Sequence, residues 1–206
     1  MLTREEFDAI EFEAALTGDH QAAAERMTEL AATGTQTESM ARAEAYVRAG
    51  EQWLLADDPN AAANDFRLAM ADGGPVDVDP RASLSRALFL LGEPDQAYAL
   101  IEELKSEGQA DARACDLIAE LLVEQSDLPA ALDWATAGVK LMLEDQTQAD
   151  AVGADASKNG TNGTAAAGQA HDGNVGSGLR DLLRLRFRIR NDLRLPEDEY
   201  DRLLGS

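Results

Sequence analysis

The chain has 206 residues, 45% of them apolar and 5% aromatic, enough for one helical core and too few for two large domains. Asp and Glu number 39 against 18 Lys and Arg, a formal charge of −21, and no apolar run approaches the ~20 residues that a membrane-crossing helix needs. The single cysteine, Cys115, excludes an internal disulfide or a zinc ribbon, and the alternating Val, Ile, Thr and Tyr runs of strands hardly occur.

The chain opens on an acidic stretch from Met1 to Glu6 that lacks the basic-then-apolar pattern of a signal peptide, so a soluble cytoplasmic protein is expected. Thr3 followed by Glu6 has the spacing of a helix capping box. From there to Leu143 a pattern of small and bulky residues recurs four times, at intervals of about 34 to 39 residues. The first copy carries Phe7, Ile10, Ala14 and Gly18, then Ala23, Met27 and Leu30. The second is the clearest: Tyr46, Ala49, Gly50 and Trp53 share one helical face, Ala56 to Asn60 break the helix, and Ala62, Phe66 and Ala69 form a face of the next. The third has Leu84, Leu88, Gly92, Ala97, Ile101 and Leu104. The fourth has Cys115, Ile118, Ala119 and Leu122, then Ala131, Ala135 and Gly138.

Each copy thus predicts an antiparallel helix hairpin. The Ala at 23, 62, 97 and 131 has a mechanical reason, since a larger side chain there would hold the two helices apart. Gly18 and Gly92 stand where a first helix must stop and supply the positive φ of a tight helix end. A hairpin of this kind cannot bury its apolar face alone and must stack on its copies. An Ala-rich bundle shares the apolar spacing but gives no reason for the fixed long period.

After Leu143, the stretch from Glu144 to Ser177 is rich in Ala, Gly, Asn, Thr, Asp and Gln without apolar periodicity, and reads as a flexible linker. Residues 178 to 206 form a tail. From Gly178 to Arg194 six arginines face two aspartates, a local charge of +4 behind a body of −22. Arg184 to Arg190 alternate with period two, as a strand would, yet Leu182, Leu185, Ile189 and Leu193 also make a helical stripe. Leu and Arg favour helix and no second strand exists to pair with, so a helix is expected. Leu195 to Glu199, with Pro196 and its carboxylates, predict the start of a last short helix with Tyr200, Leu203 and Leu204 on its apolar side.

Catalytic and metal signals are missing. His20 lies at a hairpin turn and His171 in the linker, neither beside a set of ligands at metal spacing, and no phosphate-binding glycine loop or nucleophile motif occurs. Cys115 falls on a packed face, where a thiol is inert. The expectation is a non-enzyme with no cofactor and no metal.

The second copy resembles the tetratricopeptide repeat family. Tyr46, Ala49-Gly50, Trp53, Ala62, Phe66, Ala69 and, one residue late, Pro75 follow that family's order of aromatic, small-Gly pair, aromatic, Ala, Phe, Ala and Pro. The other three copies keep the size pattern without most of the aromatics or the Leu-Gly pair, and the resemblance covers about residues 4 to 143. It implies an all-α fold, a right-handed superhelix of about four hairpins (an α-solenoid) over residues 1 to 143, followed by the linker and a helical tail. It further implies a scaffold or adaptor for protein binding, with first helices lining a concave groove. Carried onto this sequence, the groove has Glu5, Asp8 and Phe12, then Glu44, Val47, Glu51 and Leu54, then Asp79, Arg86 and Phe89, then Arg113, Asp116, Glu120, Val123 and Glu124. Acid exceeds base, which suits a basic or amphipathic peptide or helix.

The tail is itself a candidate for such a ligand. Arg184, Arg186, Phe187, Arg188 and Arg190 are the expected docking residues, in the same chain or in a homodimer partner. The alternative is a nucleic-acid or membrane-surface role for the same arginines, which the acidic body opposes by repulsion.

Overall fold

The computed structural model describes residues 1–108, 110–158 and 172–205. Among the described residues, four helix hairpins turn through one device. The first helix of each pair ends on a residue in left-handed conformation: Gly18 at φ 77°, Asp57 at 60°, Gly92 at 74° and Ser126 at 63°. These positions are 39, 35 and 34 residues apart. In the last three turns the next N–H bonds back to a carbonyl five residues earlier, Asp58 to Trp53, Glu93 to Leu88 and Asp127 to Leu122, each at 2.9 Å. That closure satisfies a carbonyl that the helix end would otherwise leave without a partner. The following residue is always acidic, and in three of the four turns its side chain caps the second helix. The carboxylates of Asp19, Asp58 and Asp127 accept from the N–H groups of Ala22, Ala61 and Ala130 at 3.1, 3.0 and 3.3 Å. Glu93, one methylene longer, makes no side-chain cap.

A left-handed backbone costs an L-residue roughly 1 kcal/mol that glycine does not incur. Ser126 is exposed, and the same position is glycine in two other turns. Ser126→Gly should therefore raise stability by about 0.5–1 kcal/mol in urea denaturation, whereas Ser126→Val should lower it.

The helices are α1 (Arg4–Thr17), α2 (His20–Thr33), α3 (Arg42–Leu55), α4 (Pro59–Asp72), α5 (Pro80–Leu90), α6 (Pro94–Glu107), α7 (Ala112–Glu124), α8 (Leu128–Lys158) and α9 (Asp172–Asp192), with a terminal 3-10 turn at Asp201–Gly205. The described residues form no strand, only an isolated bridge between Thr37 and Met40. They divide into two units, Met1–Ala110 and Asp111–Ser206. The all-helical class and the sequence of helix pairs agree with expectation.

In the first unit each helix packs on its neighbours in the chain, and α3 also meets α5. The core runs through Phe7, Met27, Met40, Phe66 and Leu88, with Ala23, Ala62 and Ala97 buried as the small-residue pattern requires. Gly50 shows why: a Cβ there would lie 2.5 Å from the Phe66 ring, so α3 and α4 approach as closely as they do only because that atom is missing.

Polar side chains tie the layers together. On α3, Glu44, Arg48 and Gln52 stand one turn apart, and all three are buried. Glu44 accepts from the Asp77 N–H at 2.8 Å in the loop before α5. Arg48 reaches α1, donating to Glu11 at 2.7 and 2.6 Å and to Asp8 at 2.6 Å while lying over the Phe7 ring. Gln52 bonds His20 of α2 at 2.9 Å. Asp65 of α4, also buried, accepts from Thr28 at 2.5 Å and from the Trp53 indole at 3.1 Å. Burial pushes the carboxyls of Glu44 and Asp65 up, and the hydrogen bonds that each accepts oppose that shift.

In the second unit α7 and α8 form the fourth hairpin, and α9 lies against α8. Leu182, Leu183, Leu185 and Ile189 are the buried side of α9. At Gly138 the three helices converge: a Cβ there would come within 2.7 Å of Leu182 and 2.9 Å of the Cys115 Cβ. The helical reading of the arginine stretch holds, and α9 is longer than the sequence suggested. The segment expected to be linker is helical at both ends, since α8 runs to Lys158 and α9 starts at Asp172. The rest of that segment, 159–171, lies outside the described residues. Ala, Gln and Glu sustain a helix that the preceding residues have already nucleated, without needing an apolar face.

Candidate functional site

The exposed face of the first helices follows one register. Counting back from the left-handed residue of each turn, the positions two and six residues earlier are exposed in all four hairpins. In α3 and α5 they are the only fully exposed residues: Glu51 with Leu55, and Arg86 with Leu90. In α1 they are Phe12 and Leu16. Each pair is four residues apart and so shares one face of its helix. Three leucines thereby occupy one equivalent place, Leu16 at 72%, Leu55 at 61% and Leu90 at 60% exposure, with Phe12 at 67% beside the first. An isolated exposed leucine means nothing, but its recurrence at one register position on three helices of one unit is a repeated apolar feature. These side chains belong to a unit with 8 basic and 22 acidic residues.

The expected groove residues divide under this geometry. Glu51 and Arg86 are exposed, each four residues before an exposed leucine on its own helix. Leu54 and Phe89 are half-buried and packed on the core, with the Phe89 ring edge-on to Tyr98 at 5.2 Å. Glu44 and Val47 are corrections: both are buried, Val47 in the core and Glu44 on the Asp77 N–H, because α3 has neighbours on nearly every side. Leu16, Leu55 and Leu90 escaped the sequence reading, although their recurrence two residues before each turn was visible in the chain. Asp116, Glu120 and Val123 lie on α7 in the second unit, with Glu120 exposed and the other two half-buried.

The tail arginines sort into two groups. Arg186, with 3% of its side chain exposed, donates to Asp198 at 3.1 Å, Asp201 at 3.0 Å and Thr136 of α8 at 3.0 Å, and its guanidinium lies 4.8 Å from the Tyr200 ring centre. Arg190 holds Asp201 and Asp198 at 3.0 Å each and also bonds the Pro196 carbonyl. Both are spent on folding the C-terminal residues back over α9. This corrects the expected docking role of Arg186 and Arg190, because the carboxylates that take them belong to the tail itself. The short helix expected from about Leu195 is instead an irregular stretch and turn leading to the 3-10 turn. Arg184, Phe187 and Arg188 are exposed.

Titration of the second unit is asymmetric. Burial, with the nearby charges of Glu120 and Asp181, raises the Asp116 carboxyl to about 6, whereas hydrogen bonding to Arg186 lowers that of Asp198. A raised carboxyl binds its proton more tightly in the folded state, so stability grows as pH falls through about 6. The depressed Asp198 works oppositely, its contribution being lost as pH falls below the ordinary carboxylate value of 3.8. Unfolding followed by Trp134 fluorescence should show greatest stability between these two limits. Asp116→Asn should abolish the decline above them. Burial also raises the Cys115 thiol to about 11, which keeps it protonated and unreactive.

Among the described residues no group of His, Cys, Asp or Glu could hold a metal ion, and no helix is long and apolar enough to cross a membrane. No known family model matches the chain, and no curated protein matches it.

Proposed function

We propose that the chain is a non-enzymatic protein-interaction scaffold, a degenerate tetratricopeptide-like α-solenoid whose hairpins continue as a right-handed superhelix. The row of first helices takes an amphipathic basic helix or peptide. The observation that carries this reading is the recurrence of an exposed leucine at one register position on α1, α3 and α5, within an acidic unit. Leucines in solvent contribute nothing to the fold, while a partner's apolar stripe laid across them would remove them from water at roughly 25 cal/mol per Å2. Acidic surroundings steer basic partners toward the row and reject acidic ones.

A photo-crosslinking residue at Leu55 in the native cell tests this. A discrete crosslinked protein is expected, and it should disappear when Leu16 and Leu90 are changed to Gln, substitutions that leave the melting temperature unchanged because both sites are exposed. If Leu55 captures no partner, or if the capture ignores the Leu16→Gln and Leu90→Gln changes, the reading fails.

A further inference from the structure

α9 carries a second exposed stripe that the fold does not use. Arg180, Arg184 and Arg188 recur every four residues, so they stand on one face of the helix, with Phe187 exposed between the last two. Arg184 meets Asp181 at 3.1 Å on the open surface, a contact that solvent weakens. Arg180 and Arg188 form no ion pair among the described residues. Arg186 and Arg190, on the same helix, are by contrast fully engaged by Asp198 and Asp201. In a chain of net −21, these are three exposed arginines beside an exposed ring, only one of them ion-paired among the described residues, on a face that the second unit does not bury.

The complementary surface is the outer side of α1. Glu5, Asp8, Phe12 and Leu16 fall three, four and four residues apart, so carboxylates occupy one half of a helical stripe and exposed apolar side chains the other. The α9 stripe is opposite in charge, three arginines and one exposed ring against two carboxylates and two exposed apolar side chains. The two stripes are of similar length, about 12 Å from Arg180 to Arg188 and about 16 Å from Glu5 to Leu16 at 1.5 Å per residue.

We propose that the chain associates with a second copy of itself through these stripes, α9 of one copy lying along α1 of the other. Arginines face Glu5 and Asp8, and Phe187 enters the apolar end made by Phe12 and Leu16. Asp8 keeps its bond to Arg48 at 2.6 Å and remains mostly exposed, so it can accept a second donor. The contact joins two different surfaces, and it closes only if each copy gives its α9 to the other's α1. This inference shares with the proposed function only the use of Phe12 and Leu16.

Sedimentation velocity of the full chain, from micromolar to sub-millimolar concentration, provides the test. Self-association is expected at about 0.05 M salt and should weaken at least tenfold at about 0.5 M, where screening acts within a few ångströms. A chain with Arg184→Glu and Arg188→Glu should be monomeric, as should one with Glu5→Arg and Phe12→Gln. An equimolar mixture of the two variants should associate again, since one supplies an intact α9 and the other an intact α1. A wild-type chain that stays monomeric throughout overturns the proposal, and so does association indifferent to these changes. Binding of a monomeric wild-type chain to a DNA duplex, abolished by the two α9 changes, overturns it too and assigns the stripe to a polyanion. Leu55→Gln with Leu90→Gln separates the two readings: those changes should leave self-association intact while removing the partner captured at the row.

Discussion

Replacing Arg186 with Ala should destabilise the second unit by about 3 kcal/mol, at the lower end of what breaking a buried ion pair costs. The side chain is almost wholly buried and serves Asp198, Asp201, Thr136 and the Tyr200 ring together. Its removal leaves the buried Asp201 carboxylate with Arg190 and the Asp198 N–H as its remaining donors, which keeps the cost near the lower limit. Urea denaturation followed by Trp134 fluorescence measures the loss, and hydrogen exchange should accelerate selectively in residues 195–205. Arg186→Lys should recover little, because an ammonium group cannot serve two carboxylates and a ring at once. A loss below about 1 kcal/mol would mean that the C-terminal residues are not held by this arginine.

Phe66→Ala should cost the first unit about 3–5 kcal/mol, the usual cost of emptying a fully buried phenylalanine site. Its coupling to Gly50 gives the prediction a specific signature. Gly50→Ala alone should also be severe, since the new methyl carbon would sit 2.5 Å from the Phe66 ring. In the Gly50→Ala, Phe66→Ala double variant that clash is gone, so the combined loss should fall well short of the sum. Additive losses in a thermodynamic cycle would show that α3 and α4 do not touch at this point.

Much of the fold was legible because the hairpins follow from local rules. The alanines at 23, 62, 97 and 131, all buried, needed only the spacing of a repeat. Gly18 and Gly92 announced left-handed helix ends, whereas Asp57 and Ser126 adopt the same conformation without a glycine to signal it. Less legible was which face of a helix is wet. Glu44, Arg48 and Gln52 stand four residues apart, a spacing that on an isolated helix marks the solvent side, yet each is buried and bonded to a neighbouring helix or loop. Only the arrangement of α1, α2 and α5 around α3 turns that stripe inward. Leu55 and Leu90 are illegible for the reverse reason, since their neighbours Leu54 and Phe89 look equally apolar in sequence and only packing decides which of each pair faces out. The tail arginines could not be sorted from sequence, because the ion-pair partners of Arg186 and Arg190 are 8 to 15 residues away across a turn at Arg194 with φ 57°.

The interaction surface exists only if α1, α3 and α5 lie side by side with Leu16, Leu55 and Leu90 in line. Dipolar EPR between spin labels on cysteines placed at these positions in pairs, in a Cys115→Ala background, measures that directly. Neighbouring helix axes stand roughly 8–10 Å apart, so the Leu16–Leu55 and Leu55–Leu90 pairs should give about 10 Å between backbones, and Leu16–Leu90 about twice that. Three equal separations, or a Leu16–Leu90 distance no longer than the other two, would place the first helices around a common axis and contradict the row.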